Sequence, residues 1–252
     1  MNREIERMLL ENGASMVGFA KINELYSNVE LKESSGEDFV TESINIPRYP
    51  FGISIIVPYP QNVIRNISYS PTIEYYNAYH KLNDILDYLA TMCAEYIIEQ
   101  GYNAYPQTVS STKEYGIFRT EMPYKTVAVQ SGLGWIGKSA LFLTEKYGSA
   151  VRLTSVLTDA PLEFNRLILQ SKCGSCMICT DACPGKAISG LTWNPKLDRD
   201  EFFDALACRK KAREIAAKSL EKQITLCGKC IEVCPYTRKY TEFDDNVFMN
   251  RL

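Results

Sequence analysis

The chain has 252 residues, 46% of them hydrophobic and 23% charged, with a formal net charge of −2. This is the make-up of a folded globular protein with room for one large or two modest domains. The slightly acidic balance argues against a broad phosphate-binding surface, and no apolar run approaches the roughly 20 residues that span a bilayer.

Along the chain, Ile5, Met8 and Leu9 recur at helical spacing behind Asn2, which reads as the cap, and Asn12-Gly13 ends that helix. Ser15 to Ala20 reads as a strand and Ser34 to Tyr49 as a polar loop. Ile53 to Val57 reads as a second, buried strand closed by Pro58-Tyr59-Pro60. A long helix follows, with Tyr79, Leu82, Leu86, Leu89, Cys93 and Tyr96 near one face; Cys93 reads as a buried thiol packing as a small hydrophobe. Gly101 stops this helix, and Tyr102 to Tyr105 reads as a strand. Tyr124 to Gln130 forms a short helix before a glycine-rich turn. Ala150 to Leu157 alternates as a strand that leaves through Thr158-Asp159-Ala160-Pro161. Helices and strands mixed without a strict βαβ cadence point to an α+β fold.

Eight of the nine cysteines lie in the last eighty residues. Cys173-x2-Cys176-x2-Cys179-x3-Cys183-Pro184 is the run by which bacterial ferredoxins hold a 4Fe–4S cluster. Cys227-x2-Cys230-x3-Cys234-Pro235 repeats its end, with Cys208 upstream as the eighth thiolate. Two-residue gaps let one loop wrap three iron corners, while the fourth cysteine usually ligates the other cluster. Cys173, Cys176, Cys179 and Cys234 are therefore assigned to one cluster and Cys183, Cys208, Cys227 and Cys230 to the other. Structural zinc also uses paired C-x2-C sites, but the proline-terminated C-x3-C at both runs fits iron–sulfur better. Disulfides do not suit cysteine clusters this dense in a chain with no secretory leader, for which the expected compartment is the cytoplasm, with no membrane partner. Cysteine content divides the chain into 1–165, an α+β cofactor or substrate domain, and 166–252, a double-cluster ferredoxin-like domain.

Gly132-Leu133-Gly134-Trp135-Ile136-Gly137 matches GxGxxG, and extended to Lys138-Ser139 it matches the phosphate loop GxxxxGK[ST]. Such a loop needs a buried strand before it and a helix after it, and neither reads cleanly here. The plainer reading is a tight turn that lets backbone approach a large flat ligand, with Trp135 as core or cofactor wall and Lys138 as either a cofactor contact or a solvated lysine after the turn.

The segments Lys125 to Lys138 and Tyr147 to Leu162, followed by the two cysteine runs, resemble epoxyqueuosine reductase and its shorter iron–sulfur relatives. Ala78-Tyr79-His80-Lys81 resembles that family's Asp-Tyr-His element, and Gly18-Phe19-Ala20 fits its first strand. The resemblance implies a cobalamin-processing, reductive dehalogenase-like α+β domain followed by a two-cluster ferredoxin-like domain. It implies cobalamin near the clusters; Gly132, Leu133, Gly134, Trp135, Gly137 and Lys138 of the glycine-rich turn are the expected cofactor contacts. The family's catalytic aspartate is due just before Pro123, where this chain has Arg119-Thr120-Glu121-Met122-Pro123. Glu121 is the nearest carboxylate, with Tyr115 as the other proton donor considered. His80, the sole histidine, is placed over the cofactor as a proton shuttle; a helix-face histidine with a local hydrogen bond is its plain alternative.

The expected function is an iron–sulfur oxidoreductase that passes electrons through two clusters to cobalamin and reduces a small-molecule substrate. A non-catalytic module donating electrons to a corrinoid or flavin partner protein is the alternative. An ATP-dependent reductase using the phosphate-loop match is a third reading. A ferredoxin or flavodoxin is the expected electron donor; the basic run Arg209, Lys210, Lys211 and Arg213 reads as a solvated helix face, or alternatively as a patch that steers such a donor. Transfer RNA is not an expected partner, because the family's C-terminal helical-repeat domain does not follow the cysteine runs and the acidic balance supplies no substitute.

Overall fold

A computed structural model describes residues 1–22, 48–109, 111–112, 114, 116–164 and 168–242. Its elements in chain order are α1 (Asn2–Glu11), β1 (Met16–Lys21), β2 (Phe51–Pro58), α2 (Gln61–Arg65), α3 (Ile73–Glu99), β3 (Ala104–Pro106), α4 (Tyr124–Gln130), β4 (Trp135–Ile136), β5 (Phe142–Leu143) and β6 (Val151–Thr158). They continue with α5 (Ile178–Asp181), α6 (Arg199–Phe202), α7 (Ala205–Leu220), α8 (Lys229–Glu232) and α9 (Pro235–Glu242). Of the polar loop expected over Ser34 to Tyr49, residues 34–47 lie outside the described residues.

The chain forms two compact units. The first comprises Met1–Ile55, Leu86–Leu133 and Leu153–Leu167, and the second Ile56–Ile85, Gly134–Arg152 and Ile168–Leu252. The units thus interleave along the chain, whereas the sequence division at 165/166 follows cysteine content alone.

A four-stranded sheet in the order β1-β2-β6-β3 carries the fold. β3 runs antiparallel to β6, with Tyr105 opposite Leu157. The six inner residues of β2 are all buried and, except for Ser54, apolar, as expected of a central strand covered on both faces. In the first unit, Ala20, Ile22, Met122, Val127 and Leu157 form one core cluster. Leu86, Leu89, Cys93 and Ile97 of α3 are buried, as their 3.6-residue periodicity demands. The Gln107 side chain donates to the Met122 carbonyl at 2.9 Å and bonds the Ser155 hydroxyl, which satisfies a buried amide.

One local expectation needs correcting. Asn2 does not cap α1; the N-cap is Met1, with no side-chain bond. Instead Asn2 Nδ2 donates to the Glu163 carbonyl at 2.7 Å, and the Glu163 N–H donates back to Asn2 Oδ1 at 3.2 Å. A residue one step inside the helix has its own helical backbone, so its side chain is free to tie a distant segment.

In the second unit, Asp204 accepts from the Ala207 N–H at 2.8 Å and caps α7. α6 starts with a capping box of Asp198 and Glu201. α9 begins at Pro235, directly after Cys234, because proline lacks the N–H that a first helical turn leaves unpaired. The Tyr240 hydroxyl donates to the Tyr59 carbonyl at 2.8 Å, which anchors α9. Among the described residues, no helix is long and apolar enough to cross a membrane.

Candidate functional site

The second unit holds all eight cysteines of the two runs. The first run wraps tightly: the Cys176 N–H donates to the Cys173 carbonyl at 3.1 Å, and the short helix α5 carries Cys179. After Pro184 the chain turns back, so that the Ala187 N–H donates to Cys183 Sγ at 3.3 Å. The second run places Cys230 in α8 and Cys234 just before α9.

The thiols influence one another electrostatically across both runs. Burial, followed by Cys173, Cys234 and Cys176, pushes the Cys179 thiol up to about 11. Burial, followed by Cys183, Cys227 and Asp204, pushes Cys208 up to about 11. Burial raises Cys230 well above its ordinary value, with Cys227, Cys208, Cys179 and Cys183 adding to it. Cys179 acts on Cys230 as well, which places thiols of the two runs within range of one another. Thiols raised in this way stay protonated at neutral pH, so a metal that binds them must displace their protons, and its binding energy becomes folding energy. Among the described residues, no three or more Cys, His, Asp or Glu side chains close on a single metal ion.

Within the second unit, Trp135 and Gly137 of the glycine-rich segment lie against these cysteines. Gly132 ends α4, where its N–H donates to the Val129 carbonyl at 3.1 Å. β4 and β5 then form a hairpin, with Trp135 opposite Leu143 and Ile136 opposite Phe142. Gly134 lies so near the Leu143 carbonyl that a Cβ would overlap it. No helix follows the Gly137-Lys138-Ser139 turn, so the strand–loop–helix cradle of a phosphate loop is not built, and the nucleotide motif is a coincidence of spacing.

Trp135 is fully buried, packs with Leu143 and Cys234, and meets the Tyr236 ring edge-on at 5.0 Å. A Cβ on Gly137 would lie 3.5 Å from Cys173 Sγ. Lys138 is only 4% exposed, and its ammonium has the Met177 thioether, at 3.5 Å, as its hydrogen-bond partner. Among the described residues no carboxylate pairs with it, and a buried cation so placed is costly unless an anion completes it. The Trp135 Nε1 and Thr180 Oγ1 donors are also buried, with no partner among the described residues. These three groups sit beside the cysteine runs and fit an anionic, sulfur-rich cluster. Cysteine spacing alone points only to the ligands. The supporting donors show themselves through burial without a partner, which no local pattern encodes.

Gly132 and Leu133 fall in the first unit, and Gly134, Trp135, Gly137 and Lys138 in the second. His80 is exposed on α3, in edge contact with the Tyr76 and Tyr79 rings at 4.6 and 5.3 Å. Glu121 is half-buried in the first unit, whereas His80 is in the second. Tyr115 lies outside the described residues. Two polar residues stand out without having been singled out from the sequence. Among the described residues, both amide atoms of the Gln130 side chain, which is 4% exposed, and the buried Ser54 hydroxyl on β2 have no hydrogen-bond partner.

Comparison with known proteins agrees with this picture. Residues 172–237 match the family described as 4Fe-4S double cluster binding domain, a span that includes all eight cysteines. The chain is 34% identical over 125 residues to epoxyqueuosine reductase of Listeria monocytogenes, covering 47% of this chain and 30% of that protein. It thus spans about a third of the length of that relative. An epoxyqueuosine reductase solved with a tRNA-Tyr epoxyqueuosine-modified stem loop superposes with a TM-score of 0.61 at 19% identity, covering 98% of this chain and 69% of the other. The catabolic reductive dehalogenase NpRdhA, solved with 3-bromo-4-hydroxybenzoic acid, superposes with a TM-score of 0.65 at 18% identity, covering 93% and 31%. The α+β fold is the one these reductases share, and the C-terminal part is a double 4Fe–4S cluster domain.

Proposed function

We propose that this chain is an iron–sulfur reductase of cytoplasmic type, in which two 4Fe–4S clusters feed electrons to a cobalamin that supplies the metal centre for reducing a small substrate. Eight cysteines within residues 172–237, the span matched by the double-cluster family, carry this reading. The proposed ligand sets are Cys173, Cys176, Cys179 and Cys234 for one cluster and Cys183, Cys208, Cys227 and Cys230 for the other. Each cluster then draws thiolates from both runs, and the exchange locks the runs together.

The chain's own groups have definite tasks. Lys138 and the Trp135 and Thr180 donors offset cluster charge, which tunes potential through hydrogen bonding and burial. Gln130 offers an amide donor and an amide acceptor, both buried and unpartnered, and this suits a corrin with its rim of amide side chains. Glu121 stands where the related enzymes are expected to have their catalytic aspartate, and holds the proton for the substrate. His80 and Tyr115 complete the set of proton-carrying candidates. The cations of α7 steer an acidic donor such as a ferredoxin or flavodoxin.

The substrate is proposed to be small rather than tRNA, since a net charge of −2 gives little purchase on a polyanion. The decisive experiment is oxygen-free reconstitution followed by metal analysis and cobalamin titration. About eight irons per chain and an altered corrinoid absorption spectrum are expected. Zinc in place of iron overturns the proposal. Full iron without any corrinoid response leaves electron delivery to a partner protein. Binding of the modified stem loop would restore tRNA as the substrate.

A further inference from the structure

Outside the cluster site, the second unit contains an arginine that is oriented but not neutralised. Arg152, half-buried on β6, donates from Nε and Nη2 to the same atom, Asn83 Oδ1, at 2.9 and 2.6 Å. Its guanidinium lies over the Tyr79 ring at 4.4 Å. Asn83 is 8% exposed, so the fork is held from the buried side. Among the described residues no carboxylate pairs with Arg152, and its Nη1 makes no hydrogen bond.

The contacts continue across one strip. Tyr79 meets His80 edge-on, His80 meets Tyr76, and the Lys222 ammonium lies 4.9 Å over the Tyr76 ring. The order is therefore guanidinium, ring, imidazole, ring, ammonium. Neither His80 nor Lys222 is paired with a carboxylate among the described residues.

A purely structural arginine at this depth is ordinarily met by an acid, because an unpaired charge is costly to withdraw from water. Asn83 is neutral. It fixes the orientation of the fork and leaves the charge uncompensated. A pre-oriented guanidinium loses little side-chain entropy on binding, and its planar donors match the oxygens of a phosphate or carboxylate. The aromatic rings stiffen the strip, and Lys222 and His80 add donors along it.

We infer that Arg152, His80 and Lys222 form a binding site for the oxyanion group, phosphate or carboxylate, of a small ligand. The inference shares only His80 with the proposed reductase activity; Arg152 and Lys222 are neither cluster ligands nor proposed corrinoid contacts, so loss of anion binding in their variants is distinguishable from loss of the clusters or of corrinoid binding.

The test exploits the single histidine of the chain. Cluster-loaded protein with 15N-labelled histidine is titrated anaerobically with inorganic phosphate and, separately, with benzoate, chloride holding the ionic strength constant. A saturable shift of the His80 signals is expected. Saturation by phosphate alone identifies a phosphoryl ligand, and saturation by benzoate alone a carboxylate. Arg152→Gln should weaken binding at least tenfold, and Arg152→Lys should weaken it less. Lys222→Gln, a change at a half-buried position outside the sheet, should weaken binding severalfold with the clusters intact, which guards against misfolding of the Arg152 variants. A shift with neither anion, a shift that never saturates, or unchanged affinity in the Lys222 variant together with either Arg152 variant overturns the inference.

Discussion

The Ser149 backbone N–H donates to the Thr237 hydroxyl at 3.0 Å, and the preceding Gly148 lies so close that a Cβ there would overlap the Thr237 backbone nitrogen. This contact joins the segment after the β4–β5 hairpin to α9, the helix that leaves Cys234. Gly148 also has φ +56°, a conformation that L side chains rarely adopt. Gly148→Ala combines backbone strain with a collision against rigid main chain. It should cost about 3 kcal/mol, read as a lower urea midpoint with an unchanged slope.

Cys208 lies outside both runs, yet it is influenced by Cys183 and Cys227. Cys208→Ser should lower bound iron from about eight to about four atoms per chain while one cluster signal survives. Cys93→Ser should leave iron content unchanged. Eight irons retained in the Cys208 variant would remove this residue from the ligand set.

Lys138 places a buried positive charge beside the first cysteine run. A cation near a cluster favours the reduced, more negative state. Lys138→Met should therefore make one of the two midpoint potentials more negative and leave the other nearly unchanged, as followed by EPR-monitored redox titration. Equal shifts of both, or of neither, would contradict a local charge effect.

Burial pushes the Cys93 thiol up to about 12 and, as the largest influence, pushes Tyr59 up to about 12. In the unfolded chain a thiol titrates at about 8.5 and a tyrosine at about 10. Both groups keep their protons in the folded state while the unfolded state loses them. The stability they contribute is complete below about pH 8.5 and falls as pH climbs toward 12. Denaturation of the cluster-loaded protein should show this decline, and Cys93→Ala should remove the part that starts first. Native Cys93 should also resist alkylation until the chain unfolds.

The Gly132–Ser139 segment forms a helix end and a hairpin, not a phosphate cradle. Titration with ATP and magnesium should give no saturable binding, by calorimetry, to the cluster-loaded protein. A measured affinity would require the hairpin to open.

Much of this protein was legible in short stretches of sequence. The C-x2-C-x2-C-x3-C-P spacing identifies cluster loops because a cubane's corners lie within one tight turn of chain. The period of Leu82, Leu86, Leu89 and Cys93 identifies α3, and Gly101 and Gly13 mark helix ends, because local sterics act over three or four residues. What depends on distant chain was decided only in three dimensions. The sequence shows Arg152 merely as a polar interruption of a strand; packing of β6 against α3 turns it into a fork held by Asn83 and Tyr79. Asn2 reads as a cap and instead binds Glu163. A phosphate-loop pattern became a hairpin because Gly134 allows the Leu143 backbone to close in. Local spacing constrains what a segment is able to form, whereas partners far along the chain, competing for the same buried space and hydrogen bonds, select what it does form.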